Sequence, residues 1–205
     1  MPVKMKDAPR KGEVTRMAIE DSAVELFLAQ GYHATSMRQI AESVGLALGG
    51  IYNHFSSKEE IFEAIIIDKH PYKSVLPAVI AAEGESLEDM LRNAARLAVK
   101  EIKRRPSYLN LMFIEFVEFN GKHGALILRE LGPALLPVFE RLVKDRKDLR
   151  ITNPAMLLRS FFGTLISFLI TEMVLDNSHI NLLMPKNPMD VYLDIYLHGI
   201  LKEPA

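Results

Sequence analysis

The sequence predicts an all-α protein with an N-terminal module of three helices and a larger C-terminal helical bundle, about nine helices in total. Hydrophobic residues recur with the helical period along the whole chain, and no stretch alternates with the period of a β-strand. Residues that cap or break helices divide this pattern into segments. With 205 residues, of which 49% are hydrophobic, the chain can hold a small module joined to a larger one.

Helix boundaries can be assigned from local signals. The first four helices are delimited by glycines and capping boxes, in chain order Gln30-Gly31, Ser36 with Gln39, Gly45, and Ser57 with Glu60. The later segments are Ser86 to about Arg105, Ser107–Phe119, and 123–147 interrupted at Gly132-Pro133 and Pro137, followed by helices opening at Asn153-Pro154 and Asn187-Pro188. His70-Pro71 and Pro77 are expected to kink or divide the chain between the two modules.

Charge is unevenly distributed, although the net charge is only -1. Residues 1–16 carry five basic side chains and two acidic ones, so we expect residues 1–12 to form a basic flexible arm that holds phosphates. A solvated tail without a partner is the alternative. The chain has no cysteine, which excludes disulfides, thiolate metal sites and cysteine nucleophiles.

A helix-turn-helix is predicted between residues 35 and 58. Ala41 supplies the small residue needed where two helices cross closely, and Gly45 can adopt the left-handed turn four residues later. Ile51 then anchors the second helix, which can enter a DNA major groove. A helix-loop-helix without a ligand would have the same spacing. Tyr52, His54 and Lys58 favour DNA, because together they form a phosphate-binding set beside a helix N-terminus.

The same region resembles the N-terminal domain of tetracycline-repressor-type (TetR family) regulators. The residues that carry the resemblance are Leu26-Phe27, Gly31-Tyr32, Thr35-Ser36, Ile40-Ala41, Gly45-Leu46, and the run from Gly49 to Glu59. It covers roughly residues 13–62. The resemblance implies a DNA-binding domain at 13–60 and an effector-binding and dimerisation domain at 61–205.

The resemblance also implies which residues meet DNA. They are Thr35, Ser36, Arg38, Gln39, Leu48, Gly49, Gly50, Tyr52, Asn53, His54 and Lys58. Ala47, Leu48 and Gly50 depart from the polar or small residues common in the family, which leaves the reading face poor in hydrogen-bond donors. Base readout is therefore expected to fall more on Arg38, Gln39 and Asn53, or on DNA shape.

An effector pocket and a dimer interface are expected in the C-terminal part. The pocket candidates are Met112, Phe113, Glu115, Phe116, Phe119, Phe161, Thr164 and Phe168, which would suit an apolar or amphipathic ligand. Core packing is favoured over a pocket role for the apolar ones, and a surface carboxylate is favoured over a ligand contact for Glu115. The interface candidates are Ser160, Gly163, Ser167, Tyr192, Tyr196 and Ile200, on helices that are apolar on more than one face. A central helix buried in a monomer is the alternative.

These patterns favour a cytoplasmic transcription regulator over an enzyme. It would act as a repressor that binds a palindromic operator as a homodimer and is released by a small-molecule effector. No cofactor or metal is expected, because the six histidines lack the spacing of a helical zinc site. No signal peptide or membrane partner is expected, since the longest uncharged apolar run, Ser160 to Thr171, is too short to span a bilayer. A helical small-molecule-binding protein and a metal-free enzyme remain the alternatives.

Overall fold

The computed structural model describes residues 10–69, 72–144, 146–175 and 184–200. All regular secondary structure in these residues is helical, which confirms the predicted fold class. There are ten helices in the described residues rather than about nine: α1 Lys11–Gln30, α2 Met37–Ser43, α3 Leu48–Ile51, α4 Lys58–Asp68, α5 Tyr72–Ile80, α6 Leu87–Lys103, α7 Ser107–Phe119, α8 Gly124–Val143, α9 Pro154–Leu175 and α10 Pro188–Ile200.

The chain forms two compact units, and α7 passes from one to the other. The N-terminal unit consists of the described residues up to 69 together with Asn110–Ile127. The C-terminal unit consists of the described residues of 72–109 and 128–200. The N-terminal unit is therefore larger than the predicted module at 13–60, because all of α4 and most of α7 pack into it.

The capping signals predicted from the sequence hold with one exception. Ser36 Oγ accepts the Gln39 N–H at 3.3 Å and Gln39 Oε1 accepts the Ser36 N–H at 2.8 Å, so this capping box is complete. Ser57 Oγ accepts the Glu60 N–H at 3.1 Å, but the Glu60 carboxylate accepts from Ser56 rather than from Ser57. In the second capping box, the carboxylate of Glu60 therefore accepts from the residue before the N-cap instead of from the N-cap residue itself.

The predicted interruptions by proline are wrong for α8. This helix runs unbroken from Gly124 to Val143 with Pro133 and Pro137 inside it, and α5 likewise contains Pro77. All three prolines are exposed, so the carbonyls that lose a helical partner can bind water instead. The fixed φ of proline is itself helical, which makes a continuous helix possible at this cost.

The C-terminal unit is built around α9, with α6 and α10 packed against it. Asn153 caps α9 by accepting the N–H groups of Ala155 and Met156 at 2.9 and 3.1 Å, and the helix begins at Pro154 as predicted. Among the described helices, α9 alone is long and apolar enough to cross a membrane. Its side chains Leu157, Phe161 and Leu165 are nevertheless buried in the core of the C-terminal unit.

Candidate nucleic-acid interface

The helix-turn-helix predicted from Ala41, Gly45 and Ile51 is present in the N-terminal unit. Ala41 is 1% exposed where α2 meets its neighbours, and Gly45 has a φ of 70°, in the left-handed region. The Leu46 N–H donates to the Ala41 carbonyl at 2.8 Å and closes the turn. Ile51 is fully buried, so it anchors the four-residue α3 to the unit.

Side chains on the outer side of α3 face solvent. Leu48 and Tyr52 are 37% and 51% exposed, Gly49 and Asn53 are also exposed, and Gly50 and His54 are half-buried. Arg38 on α2 is exposed as well. Most of the residues predicted to meet DNA are thus available to a ligand.

Thr35, Ser36 and Gln39 hold the start of α2. Thr35 is 1% exposed, donates to the Gly31 carbonyl at 2.9 Å and accepts from Gln30 Nε2 at 3.1 Å. Ser36 and Gln39 form the capping box described above. The predicted contact role of Thr35 can therefore only be indirect in this arrangement, whereas Ser36 and Gln39 remain at the surface of the cap.

Lys58 points into the unit rather than away from it. Its ammonium donates to the carbonyls of Tyr32 and Thr35, at 2.6 Å each, and lies 4.3 Å from the centroid of the Tyr32 ring. Burial lowers the pKa of Lys58, and burial also raises the pKa of Tyr32 to about 12. A phosphate contact by Lys58, as the sequence suggested, would have to compete with these bonds.

Arg16 on α1 makes contacts within the N-terminal unit that the sequence did not reveal. Its Nη1 donates to the His54 carbonyl at 2.9 Å, its Cζ lies 3.9 Å from the centroid of the Phe55 ring, and Nε is 3.5 Å from the Glu20 carboxylate. Glu20 is 3% exposed, and burial is the main cause of its raised pKa. The only signal in the sequence was an arginine one helical turn before a buried acid.

The corner between α7 and α8 also belongs to the N-terminal unit. Glu115 and His123 are each 1% exposed; the Glu115 carboxylate accepts the His123 main-chain N–H at 2.6 Å and lies 2.7 Å from His123 Nδ1. Phe119 stacks on Phe62 of α4, with ring centroids 4.7 Å apart, and meets Tyr32 edge-on at 4.8 Å. The His123 Nε2 atom is buried without a hydrogen-bond partner among the described residues.

Comparison with known proteins supports the assignment of this unit. Residues 19–65 match the family described as "Bacterial regulatory proteins, tetR family". Over these residues the chain resembles the tetR family. It is 39% identical over 62 residues to the HTH-type transcriptional regulator SrpR of Pseudomonas putida, a segment that makes up 30% of this chain and 29% of SrpR. The chain thus spans less than a third of this curated relative.

Two solved structures resemble the whole chain in fold. Native NalD of Pseudomonas aeruginosa, described as the secondary repressor of the MexAB-OprM multidrug efflux pump, superposes with a TM-score of 0.67 over 95% of this chain and 100% of NalD, at 20% identity. A SmeT–triclosan complex superposes with a TM-score of 0.63 over 93% of each chain, also at 20% identity. At this identity the likeness establishes the fold of both units.

The pocket candidates are divided between the two units of the chain. Met112, Phe113, Glu115, Phe116 and Phe119 lie on α7 in the N-terminal unit, whereas Phe161, Thr164 and Phe168 lie on α9 in the C-terminal unit. Phe113 and Phe116 are 38% and 56% exposed, while Phe161 and Phe168 are buried. Glu115, expected to orient a ligand, is bonded to His123 instead.

The interface candidates, by contrast, lie together in the C-terminal unit. An open groove of about 400 Å³ between α9 and α10 is lined by Ser160, Gly163, Thr164, Ser167, Tyr192, Ile195 and Tyr196. Five of the six predicted interface residues are in this set. Ile200 is not, because it is 3% exposed in the core of its own unit. No cluster of three or more potential metal ligands occurs in the part of the chain that the structure describes.

Proposed function

We propose that this chain is a transcriptional regulator that binds operator DNA as a homodimer in the cytoplasm and is released by a small apolar or amphipathic effector. The observation that carries the proposal is the exposed helix-turn-helix, in which buried Ala41 and Ile51 fix two helices while Leu48 and Tyr52 stay open to solvent. This is the arrangement in which a short helix presents its outer face to a major groove.

The DNA contacts are assigned by exposure. Nine residues of α2, α3 and the following turn would face the duplex: Ser36, Arg38, Gln39, Leu48, Gly49, Gly50, Tyr52, Asn53 and His54. Thr35 and Lys58 would support them from inside, since both are bonded to the main chain around residues 31–35. Residues 1–9 of the predicted basic arm lie outside the described residues.

Dimerisation is proposed through the exposed face of α9 and α10. Ile166 and Val174 on α9 are 46% and 66% exposed, and Val191 and Ile195 on α10 are 44% and 71% exposed. Exposed branched apolar side chains on two adjacent helices are unusual unless a partner covers them. A second copy is the simplest occupant, because a two-fold axis also supplies the paired reading helices that a palindromic site requires.

An effector of apolar or amphipathic character is proposed by analogy with the structural relatives. SmeT is described in complex with triclosan, and NalD is described as the secondary repressor of a multidrug efflux pump. In this chain the aromatic side chains of α9 contact tyrosines of α10. The Phe161 and Tyr196 rings lie 5.9 Å apart and the Phe168 and Tyr192 rings 5.5 Å apart. A ligand that entered here would alter the α9–α10 packing.

DNA binding can be tested by selecting genomic fragments with the purified protein and titrating the enriched sequence at several salt concentrations. A regulator selects a short palindrome and loses affinity steeply as salt rises. Tyr52→Phe and Arg38→Ala each weaken operator binding, whereas substitution of Arg104, an exposed arginine directly after α6, by alanine leaves it unchanged. Absence of any enriched sequence, or equal effects of the three substitutions, would refute the assignment.

Dimerisation can be tested with a pair of matched substitutions. Ile195→Glu places a charge on the proposed interface, and Val117→Glu places the same charge at an equally exposed apolar position of the N-terminal unit. Sedimentation should give a dimer for the wild type and for Val117→Glu but a monomer for Ile195→Glu. A dimer for both variants would locate the interface elsewhere.

Effector release can be tested by adding a library of apolar and amphipathic compounds to the protein–operator complex. A true effector lowers operator affinity, and by linkage the operator lowers the affinity for the effector by the same factor. A protein that binds its operator well and responds to none of the compounds would contradict the effector hypothesis while leaving DNA binding intact.

A further inference from the structure

We infer that Arg16 is a positioning residue for DNA recognition. It fixes the main chain at the end of α3, the proposed recognition helix, without touching DNA itself. This inference rests on the proposed function, because it concerns how the same helix is held. It begins from the length of α3. Four residues are too few for a helix to be stable without outside support, so the orientation of α3 depends on what holds its ends.

The start of α3 is held by the preceding turn, and its last residue, Ile51, is held by burial in the unit. The segment that follows α3 carries Tyr52, Asn53 and His54, and it is closed by main-chain bonds from the N–H groups of His54 and Phe55 to the Ile51 carbonyl, at 3.0 Å each. Its carbonyls need a further donor. The guanidinium of Arg16, reaching across from α1, supplies one at the His54 carbonyl.

Three contacts fix the Arg16 guanidinium in this position. It donates to the His54 carbonyl, it lies over the Phe55 ring, and Glu20 holds Nε from one helical turn away. A planar group with donors on several edges can make all three contacts together, whereas a lysine ammonium cannot. The Glu20 carboxylate is 4% exposed and the Arg16 side chain 39% exposed, so the donor edge is turned inward.

The alternative is that Arg16 binds a DNA phosphate, as a basic residue near a reading helix often does. The two roles differ in charge dependence. A phosphate contact is replaced well by lysine, strengthens operator and non-specific DNA alike, and contributes about 0.9 to the slope of log affinity against log salt. A positioning contact needs the guanidinium geometry, acts on the operator alone, and leaves the slope unchanged.

Arg16→Lys and Arg16→Gln separate these roles, with Arg104→Gln as a control that removes an exposed arginine outside the proposed DNA-binding residues. Each variant is titrated against the selected operator and against random duplex at several salt concentrations. Both Arg16 variants should lose about tenfold to a hundredfold in operator affinity, the value of one charge-assisted hydrogen bond, with random-duplex affinity and salt slope as in the wild type. Retained operator affinity in Arg16→Lys, or a reduced salt slope in Arg16→Gln, would overturn the inference.

Hydrogen exchange of the free protein provides a readout that does not require DNA. In the Arg16 variants the amides of residues 53–55 should exchange about tenfold faster, while those of α4, such as Ile65, stay protected. Unchanged exchange at residues 53–55 refutes the inference even if operator affinity falls. If the wild type selects no operator, the proposed function fails, and the exchange measurement still decides whether Arg16 holds this segment.

Discussion

Glu115 and His123 form a buried pair, and replacing Glu115 should destabilise the protein more than replacing His123. Both side chains are 1% exposed, and the carboxylate accepts from the main-chain N–H and lies against Nδ1 of His123. Glu115→Leu leaves two buried polar groups of His123 without an acceptor. Breaking a buried pair in this way costs about 3–5 kcal/mol in the free energy of unfolding.

His123→Phe should cost less, about 1–3 kcal/mol, for two reasons. The Glu115 carboxylate keeps its bond from the main-chain N–H of residue 123, and the substitution removes the Nε2 atom that has no partner among the described residues. A phenyl ring also suits the surroundings, because Phe62 and Phe119 lie 5.8 and 4.9 Å from the imidazole between ring centroids.

The double variant Glu115→Leu, His123→Phe provides the decisive comparison. Only the main-chain N–H of residue 123 then lacks its acceptor, so the double variant should be at least as stable as Glu115→Leu alone. The two substitutions should therefore be coupled by about 1–3 kcal/mol. Glu118→Leu is the matched control on the same helix: its carboxylate is 24% exposed and pairs with the exposed His33, and its loss should cost less than about 1 kcal/mol.

Urea unfolding at one protein concentration, followed by far-ultraviolet circular dichroism, gives the free energies of unfolding of the wild type, the two single variants, the double variant and the control. The dependence of each free energy on urea concentration tests whether the transitions are comparable. A loss below about 1 kcal/mol for Glu115→Leu would mean that the carboxylate is hydrated rather than buried. Strictly additive single substitutions would mean that the two side chains do not act as a pair.

Three further predictions concern the helix-turn-helix and its supports. Gly45→Ala forces an alanine to adopt a φ of 70° and should lower the free energy of unfolding by about 1–2 kcal/mol, whereas Gly49→Ala, where an added Cβ meets nothing, should not lower it in this way. Equal melting temperatures of the two variants would exclude the strain. Lys58→Met keeps the apolar stem and should lower both the melting temperature and operator affinity without changing the salt slope; a slope reduced by about 0.9 would instead indicate a phosphate contact. The hydrogen bonds from Ser56 lower the pKa of Glu60, so the stabilisation they give is present above the unfolded-state pKa and is lost as the pH falls through the lowered pKa. Glu60→Gln should therefore be destabilising in urea unfolding at pH 7 and progressively less so as the pH is lowered, and a pH-independent loss would contradict this origin.

Features of the fold that depend on neighbours in sequence were predictable. Ser36 with Gln39, Gly45, and Asn153 with Pro154 each act within four residues, and each has the structural role that its residue type indicates. The prolines of α8 were misjudged for a physical reason. The rule that proline ends a helix assumes that the freed carbonyl has no other partner, and that assumption fails on an exposed helix face.

Contacts between distant residues could not be inferred in the same way. Lys58 is predicted from the sequence to hold a phosphate, and no role is predicted for Arg16. Both instead bind main-chain carbonyls 23 to 38 residues away, which no sequence pattern marks. Phe119 has the spacing of a core residue, as predicted, but periodicity cannot say which core. The structure packs it against Phe62 and Tyr32 in the N-terminal unit rather than with the aromatic residues of α9.

The scarcity of hydrogen-bond donors on α3 and the inward-facing positions of Lys58 and Arg16 are connected. On the proposed function, Leu48, Gly49 and Gly50 offer few side-chain donors to base edges, so the selectivity of α3 would come from the placement of its main chain and of Tyr52 to His54 relative to the groove. Placement is only as accurate as the contacts that hold a four-residue helix. Lys58 fixes the main chain before α2 and Arg16 fixes the main chain after α3, each through a carbonyl. In this chain, substitutions at these two inward-facing cations should therefore reduce operator selectivity more than substitutions at the exposed residues 48–50.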